Sequence, residues 1–209
     1  MDTDTRQTAH FWFDPLCPWA WLASRWLLEV TQVRPVDIQW HVMSLSVLNE
    51  GGDIPEEWQE AMRLGWIPIR TVVAAERDHG SDVVLPLYTA MGTRFHLGGR
   101  KDFEGVSREA VAEVGLPESL VDLALTDADD AVVRASHAAA IELVGNDVGT
   151  PVVATVGADG VLHGIFGPIV TPAPRGEAAG RLWDATAILL TTPGLYEMKR
   201  TREVGPIFD

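Results

Sequence analysis

Cys17 is the only cysteine in this 209-residue chain, and it ends an aromatic, apolar run: Phe11-Trp12-Phe13-Asp14-Pro15-Leu16-Cys17-Pro18-Trp19-Ala20. The run breaks at Asp14-Pro15, and an amphipathic pattern begins just after the thiol. That order predicts a strand, a tight turn and a helix with the cysteine at its N-terminus. A thiol there faces unpaired backbone N–H groups and the positive end of the helix dipole. Both favour the thiolate, and such a setting lowers a cysteine pKa from ~8.5 into the range of about 3.5–7.5. Pro18 fits the first helical position, where its missing N–H costs nothing. The competing reading of a lone cysteine is a small buried hydrophobe that does no chemistry. The convergence of strand, turn, Cys-Pro and helix on one spot favours a reactive thiol. Whatever its role, an intramolecular disulfide is excluded.

Thr150-Pro151 closes the stretch Asp147-Val148-Gly149-Thr150-Pro151, directly before a late β-rich segment, and is a candidate cis peptide. Asn49, just after the second predicted strand, is the polar candidate nearest the site, against an ordinary turn residue. Trp19 either flanks a ligand or covers the helix end. His41 alternates with Trp40 and Val42 and reads as a histidine packed on a strand face. The remaining histidines are dispersed without metal-ligand spacing, so no metal is predicted. Trp58, Trp66, Tyr88, Met91 and Phe95 read mainly as the core of a helical segment, some of them facing its inner wall. Arg175-Gly176-Glu177 opens the last helix with ordinary capping, or meets an anionic or sugar group. No GxGxxG, phosphate-binding loop or Ser-His-Asp pattern occurs, so no nucleotide cofactor is expected.

The elements that must position these residues follow from periodicity. Residues 9–13 read as a buried strand, 18–33 as a helix ended by Pro35, and 36–45 as a second strand parallel to the first. That is a βαβ unit with a right-handed crossover. Helical spacing then dominates, over 56–64, 69–79, 85–97, 103–114, 118–125 and 129–144, with Gly- and Pro-rich breaks between. A hairpin over 152–156 and 161–166 turns at Ala158-Asp159-Gly160, and a helix over 177–190 precedes a polar tail. The expected fold class is α/β: a discontinuous domain of residues 1–48 and 148–209, interrupted by an all-helical insertion, or lid, over 49–147.

A formal net charge of −14 argues against nucleic acid or an anionic membrane as partner. Residues 1–10 are polar, and no apolar stretch reaches the ~18–20 residues of a membrane span. A cytoplasmic protein is the expectation.

The chain resembles the DsbA-like branch of the thioredoxin superfamily, and more closely the actinobacterial mycothiol-dependent nitroreductase family. The matching stretches are residues 11–21 (FWFDPLCPWAW), 24–26 with 28–30, 41–50 (HVMSLSVLNE), 86–92 (PLYTAMG), 147–151 (DVGTP), 167–168, 174–183 (PRGEAAGRLW) and 199–202 (KRTR). The resemblance implies a thioredoxin-like fold with a helical lid and a cis-proline at Thr150-Pro151 facing the cysteine. It implies a thiol oxidoreductase with Cys17 as nucleophile, and Pro18, Trp19, Asn49, Thr150 and Pro151 around the thiol or substrate. Mycothiol would be the small-molecule thiol co-substrate, and a disulfide or nitro/electrophilic compound its partner; a homodimer is a further expectation. Ala20 stands where two-cysteine members carry the second thiol, so a cycle here needs an external resolving thiol. The alternatives are a protein like kappa glutathione transferases or isomerases that activates a bound thiol, and a non-catalytic binding protein of the same fold.

Overall fold

The computed structural model describes residues 6–208. A four-stranded sheet lies at its centre in the order β2-β1-β3-β4. β1 (Gln7–Phe13) pairs parallel with β2 (Val36–Val42), from Gln7 opposite Val36 to Phe13 opposite Val42. β3 (Val152–Val156) runs antiparallel to β1, and β4 (Leu162–Phe166) completes the hairpin. Alternation along β1 separates two faces. Ala9, Phe11 and Phe13 enter the main core, whereas Trp12 joins Met43, Ala140, Val152 and Ala154 on the other side.

α1 (Pro18–Val33) crosses from β1 to β2 and buries Trp21, Trp26, Leu27 and Val30. It packs against α9 (Gly176–Leu190), where the Trp26 indole N–H donates to the Ala179 carbonyl at 3.0 Å. Trp183 is fully buried beside Trp26, its own indole N–H donating to Gln7 Oε1 at 3.0 Å. Arg34, at the end of α1, reaches both Glu177 and Asp184 of α9.

Between β2 and β3 the chain is helical. α2 (Leu45–Leu48), α3 (Glu56–Leu64), α4 (Trp66–His79), α5 (Val84–Gly92), α6 (Phe103–Glu113), α7 (Ser119–Ala124) and α8 (Asp130–Val144) follow in order. A 3-10 turn (Ser81–Val83) precedes α5 and a π-helical turn (Thr93–Leu97) follows it. The single helix expected over 85–97 is thus two elements, with its last five residues unwound to the wider π geometry. The second strand is shorter than its β-rich sequence implies. After the Met43 N–H bonds the Phe13 carbonyl, the Leu45 N–H turns to the Asp14 carboxylate, and Ser44 caps α2 through the Val47 N–H.

α5 meets α1 where Gly92 faces the Trp21 ring. A Cβ at Gly92 would lie inside that indole. Gly92→Ala is therefore expected to destabilise the fold by about 1–3 kcal/mol, the usual cost of overpacking. Urea denaturation checks this, and a variant as stable as the parent would contradict the close approach.

Candidate active site

The turn that presents Cys17 is organised by Asp14, itself 1% exposed. Asp14 Oδ1 accepts the Leu16 N–H at 2.8 Å, and Oδ2 accepts the Leu45 N–H at 2.7 Å. One carboxylate thus ties the β1–α1 turn to the start of α2. Burial pushes its pKa up to about 6, against the downward pull of those two N–H groups.

Cys17 is the N-cap of α1, with Pro18 in the first helical turn. Its Sγ accepts the Ala20 N–H at 3.4 Å, and its S–H donates to the Thr150 carbonyl at 3.2 Å. Thr150-Pro151 is a cis peptide, so the expected cis-proline does stand against the thiol. The thiol is 5% exposed. Burial pushes its pKa up; the Thr150 side chain and the Ala20 and Trp19 N–H groups pull it down, and the Asp14 charge adds to the rise. The sign is opposite to that expected from the helix end alone. Loss of water around the sulfur outweighs the two N–H groups the helix offers. The Thr150 hydroxyl is buried without a hydrogen-bond partner, which leaves it free to donate to a thiolate when one forms. Thr150→Val removes that donor, and the midpoint of Cys17 alkylation against pH is expected to rise further. An unchanged or lower midpoint would contradict this role.

Beside the thiol lies a cleft of about 220 Å³, walled by Leu16 and Pro18 from the active-site turn. Leu45, Trp58, Met62, Phe95, Phe103 and His96 face it from the helical segment, with Arg100 among them. Of the aromatic residues expected to form that segment's core, Trp58 is 54% exposed and lines the cleft with Phe95, whereas Tyr88 is fully buried against Phe13. Pro18 is on the wall, and Trp19 is half-buried against the core. Asn49 lies behind the cleft at the end of α2, its amide donating to the Leu45 carbonyl at 2.7 Å. Leu45 and Met62, its neighbours, face the cleft in its place.

His96 is a site residue that sequence reasoning missed. Its Nε2 lies 3.0 Å from the Pro15 carbonyl, across 81 residues of chain. A carbonyl only accepts, so Nε2 carries the proton. The ring also packs on Trp21 at 5.6 Å. Burial lowers its pKa to about 4, the Pro15 bond opposes that, and the nearby Arg25 charge adds to it. His96 is thus a neutral donor that holds the turn before Cys17. It lies in the π-helical turn, whose register is invisible in a 3.6-residue pattern. His10 and His41, by contrast, pair with each other across β1 and β2 at 3.1 Å, on the Trp12 side of the sheet. No group of three or more His, Cys, Asp or Glu side chains among the described residues is placed to hold a metal.

A βαβ start, a cysteine capping the first helix, a cis-proline across from it and helices inserted before the closing hairpin define the thioredoxin fold in its DsbA-like form. Solved structures share that fold. Cytosolic disulfide reductase DsbM from Pseudomonas aeruginosa superposes with a TM-score of 0.57 at 20% identity, over 86% of this chain and 98% of that one. A probable DsbA oxidoreductase from Streptomyces coelicolor superposes with a TM-score of 0.59 at 17% identity, over 95% of each chain. The chain belongs to the Rv2466c-like family, described as "Mycothiol-dependent nitroreductase Rv2466c", which matches residues 16–200. It is also 32% identical over 204 residues to "Uncharacterized protein Rv2286c" of Mycobacterium tuberculosis, covering 96% of this chain and 84% of that protein. No helix among the described residues is long and apolar enough to cross a membrane.

Proposed function

We propose that this protein is a cytosolic, single-thiol oxidoreductase that uses mycothiol to reduce disulfide or nitro/electrophilic substrates. The observation that carries this reading is the placement of Cys17 Sγ between the Ala20 N–H and the Thr150 carbonyl at a cis-proline, beside an apolar cleft. Family membership supplies the thiol, and DsbM, described as cytosolic, shares the fold.

Cys17 loses its proton and attacks one sulfur of a disulfide. A Cys17–S bond forms, the substrate S–S bond breaks, and the departing thiolate takes up a proton. One mycothiol thiolate then attacks the Cys17 sulfur of the mixed disulfide, which releases the second substrate thiolate to take up a proton and leaves a Cys17–mycothiol disulfide. A second mycothiol thiolate attacks the mycothiol sulfur of that bond, forming oxidised mycothiol and releasing the Cys17 thiolate. The net change is reduction of one disulfide and oxidation of two external thiols. Reduction of a nitro group by one two-electron step needs the same two thiols. The Ala20 and Trp19 N–H groups and the Thr150 hydroxyl are the donors available to the transient thiolate. Half-buried Pro18 and Trp19, with the Thr150-Pro151 edge, surround the attacked sulfur; Asn49 supports the wall from behind. The helical segment between β2 and β3 acts as the lid over the cleft.

Stoichiometry tests the reading. Two mycothiol thiols should disappear, and one oxidised mycothiol appear, for each two electrons delivered to the substrate. One thiol consumed per turnover, recovered as a stable conjugate with the electrophile, would instead mark a transferase that activates a bound thiol.

A further inference from the structure

The residues after α9 return across the active-site turn. Three contacts seat them there. The Arg202 guanidinium lies over Trp19, 5.4 Å from the ring centroid. The Ile207 N–H donates to Thr171 Oγ1 at 2.8 Å. The Phe208 ring packs 5.7 Å from His96, the residue that holds the Pro15 carbonyl. Pro15 and Trp19 lie two residues to either side of Cys17, so the tail meets one flank of the segment that carries the thiol directly, through Trp19, and the other by way of His96.

Arg202 differs from most arginines in the chain. Arg34, Arg70, Arg94, Arg108 and Arg134, among others, are engaged in ion pairs. Arg202 is exposed and forms no ion pair with another described residue, although Glu197 and Glu203 share its segment. A guanidinium laid on an indole face is attracted by the ring and keeps its N–H edge open, in the fork geometry that matches a carboxylate. Stacking also limits the side chain's freedom, so less entropy is lost when a ligand binds. The rest of the molecule carries a strong negative excess, within a net charge of −14, which repels anions elsewhere on the surface. A cation left open on the Trp19 ring, two residues along the chain from Cys17, therefore has a selective effect at that place.

We propose that Arg202, seated on Trp19, is a specificity-determining residue that binds the carboxylate of an anionic disulfide or electrophile approaching Cys17. This rests on Cys17 being the reacting atom, and it adds a substrate class, carboxylate-bearing compounds, to the proposed reaction.

The test uses the full chain and two aromatic disulfides, dianionic 5,5′-dithiobis(2-nitrobenzoate) and neutral 2,2′-dithiodipyridine. Each reaction forms one Cys17–S–S–aryl bond, breaks the reagent's S–S bond, and releases one aryl thiol or thiolate. With one cysteine in the chain, every event reports Cys17. The readout is the ratio of the anionic to the neutral rate constant. Arg202→Gln is expected to lower that ratio about tenfold, the weight of one charge-assisted contact. Arg202→Lys should retain part of it, as a point charge without the fork. Raising salt from about 0.02 M to about 0.5 M screens the contact, so the difference in that ratio between the parent and Arg202→Gln should shrink. A ratio unchanged by Arg202→Gln would overturn the subsite, whether the two rates stay put or rise together as a removed cover would allow. A Cys17 that reacts with neither reagent would overturn the thiol reading along with it.

Discussion

Cys17→Ser is expected to lower thiol-dependent turnover by on the order of 10³-fold while the protein stays folded. The hydroxyl is smaller than the thiol but keeps its pattern of bonds. It can donate to the Thr150 carbonyl and accept the Ala20 N–H, and serine is a favoured N-cap, so stability should change by no more than about 1 kcal/mol. The chemistry does not survive the exchange. A serine hydroxyl neither ionises near neutral pH nor forms a disulfide, and the chain has no second cysteine to stand in. Steady-state rates with mycothiol and a disulfide or nitroaromatic substrate, set beside a thermal melt, separate the two effects. A variant within tenfold of the parent would place the chemistry on a bound thiol and leave Cys17 as packing.

Replacing Asp14 should have the largest effect on the framework of the site. Asp14→Ala leaves the Leu16 and Leu45 N–H groups without their acceptor, and each buried orphan costs about 1–3 kcal/mol. A loss of about 2–5 kcal/mol is expected, with the Cys17 turn released from α2. Asp14→Asn keeps an acceptor oxygen and removes the charge, which exposes a pH dependence of fixed sign. The folded carboxyl titrates at about 6, above its ordinary 3.8. A raised carboxyl favours the protonated folded state, so its contribution is complete below about pH 4 and is lost as pH rises through 6. The stability of the parent relative to Asp14→Asn should therefore fall by about 2–3 kcal/mol between pH 4 and 7, measured by urea denaturation. The same variant should lower the midpoint of Cys17 alkylation, because the Asp14 charge adds to the rise of the thiol's pKa. A stability difference constant with pH would mean that Asp14 is ionised at no cost.

Local signals carried much of the fold. The Asp14-Pro15 break and the Cys17-Pro18 step mark the strand, turn and helix because each residue acts through its own backbone. The late hairpin at Ala158-Asp159-Gly160 and the break at Pro35 are of the same kind. What escaped depends on partners far along the chain. The Leu45 N–H leaves the β pattern because Asp14 captures it, and no pattern around Val36 announces that. The sign of the Cys17 shift reverses because the surrounding structure buries the sulfur, a fact of packing and not of the helix end. His96 and Arg202 have the same character: each reaches the active-site turn from a distant part of the chain, one from a π-helical turn and one from a tail that reads as polar with scattered apolar residues. Asn49, chosen for its place after β2, turns its amide to the local backbone while its neighbours face the cleft.

The most direct measurement of the role given to Cys17 is the intact mass of the protein after incubation with oxidised mycothiol. The expected result is a single mycothiol adduct on the parent chain, absent from Cys17→Ser and removed by reduced mycothiol. A parent chain that gains no mass, together with turnover that persists in Cys17→Ser, would contradict it.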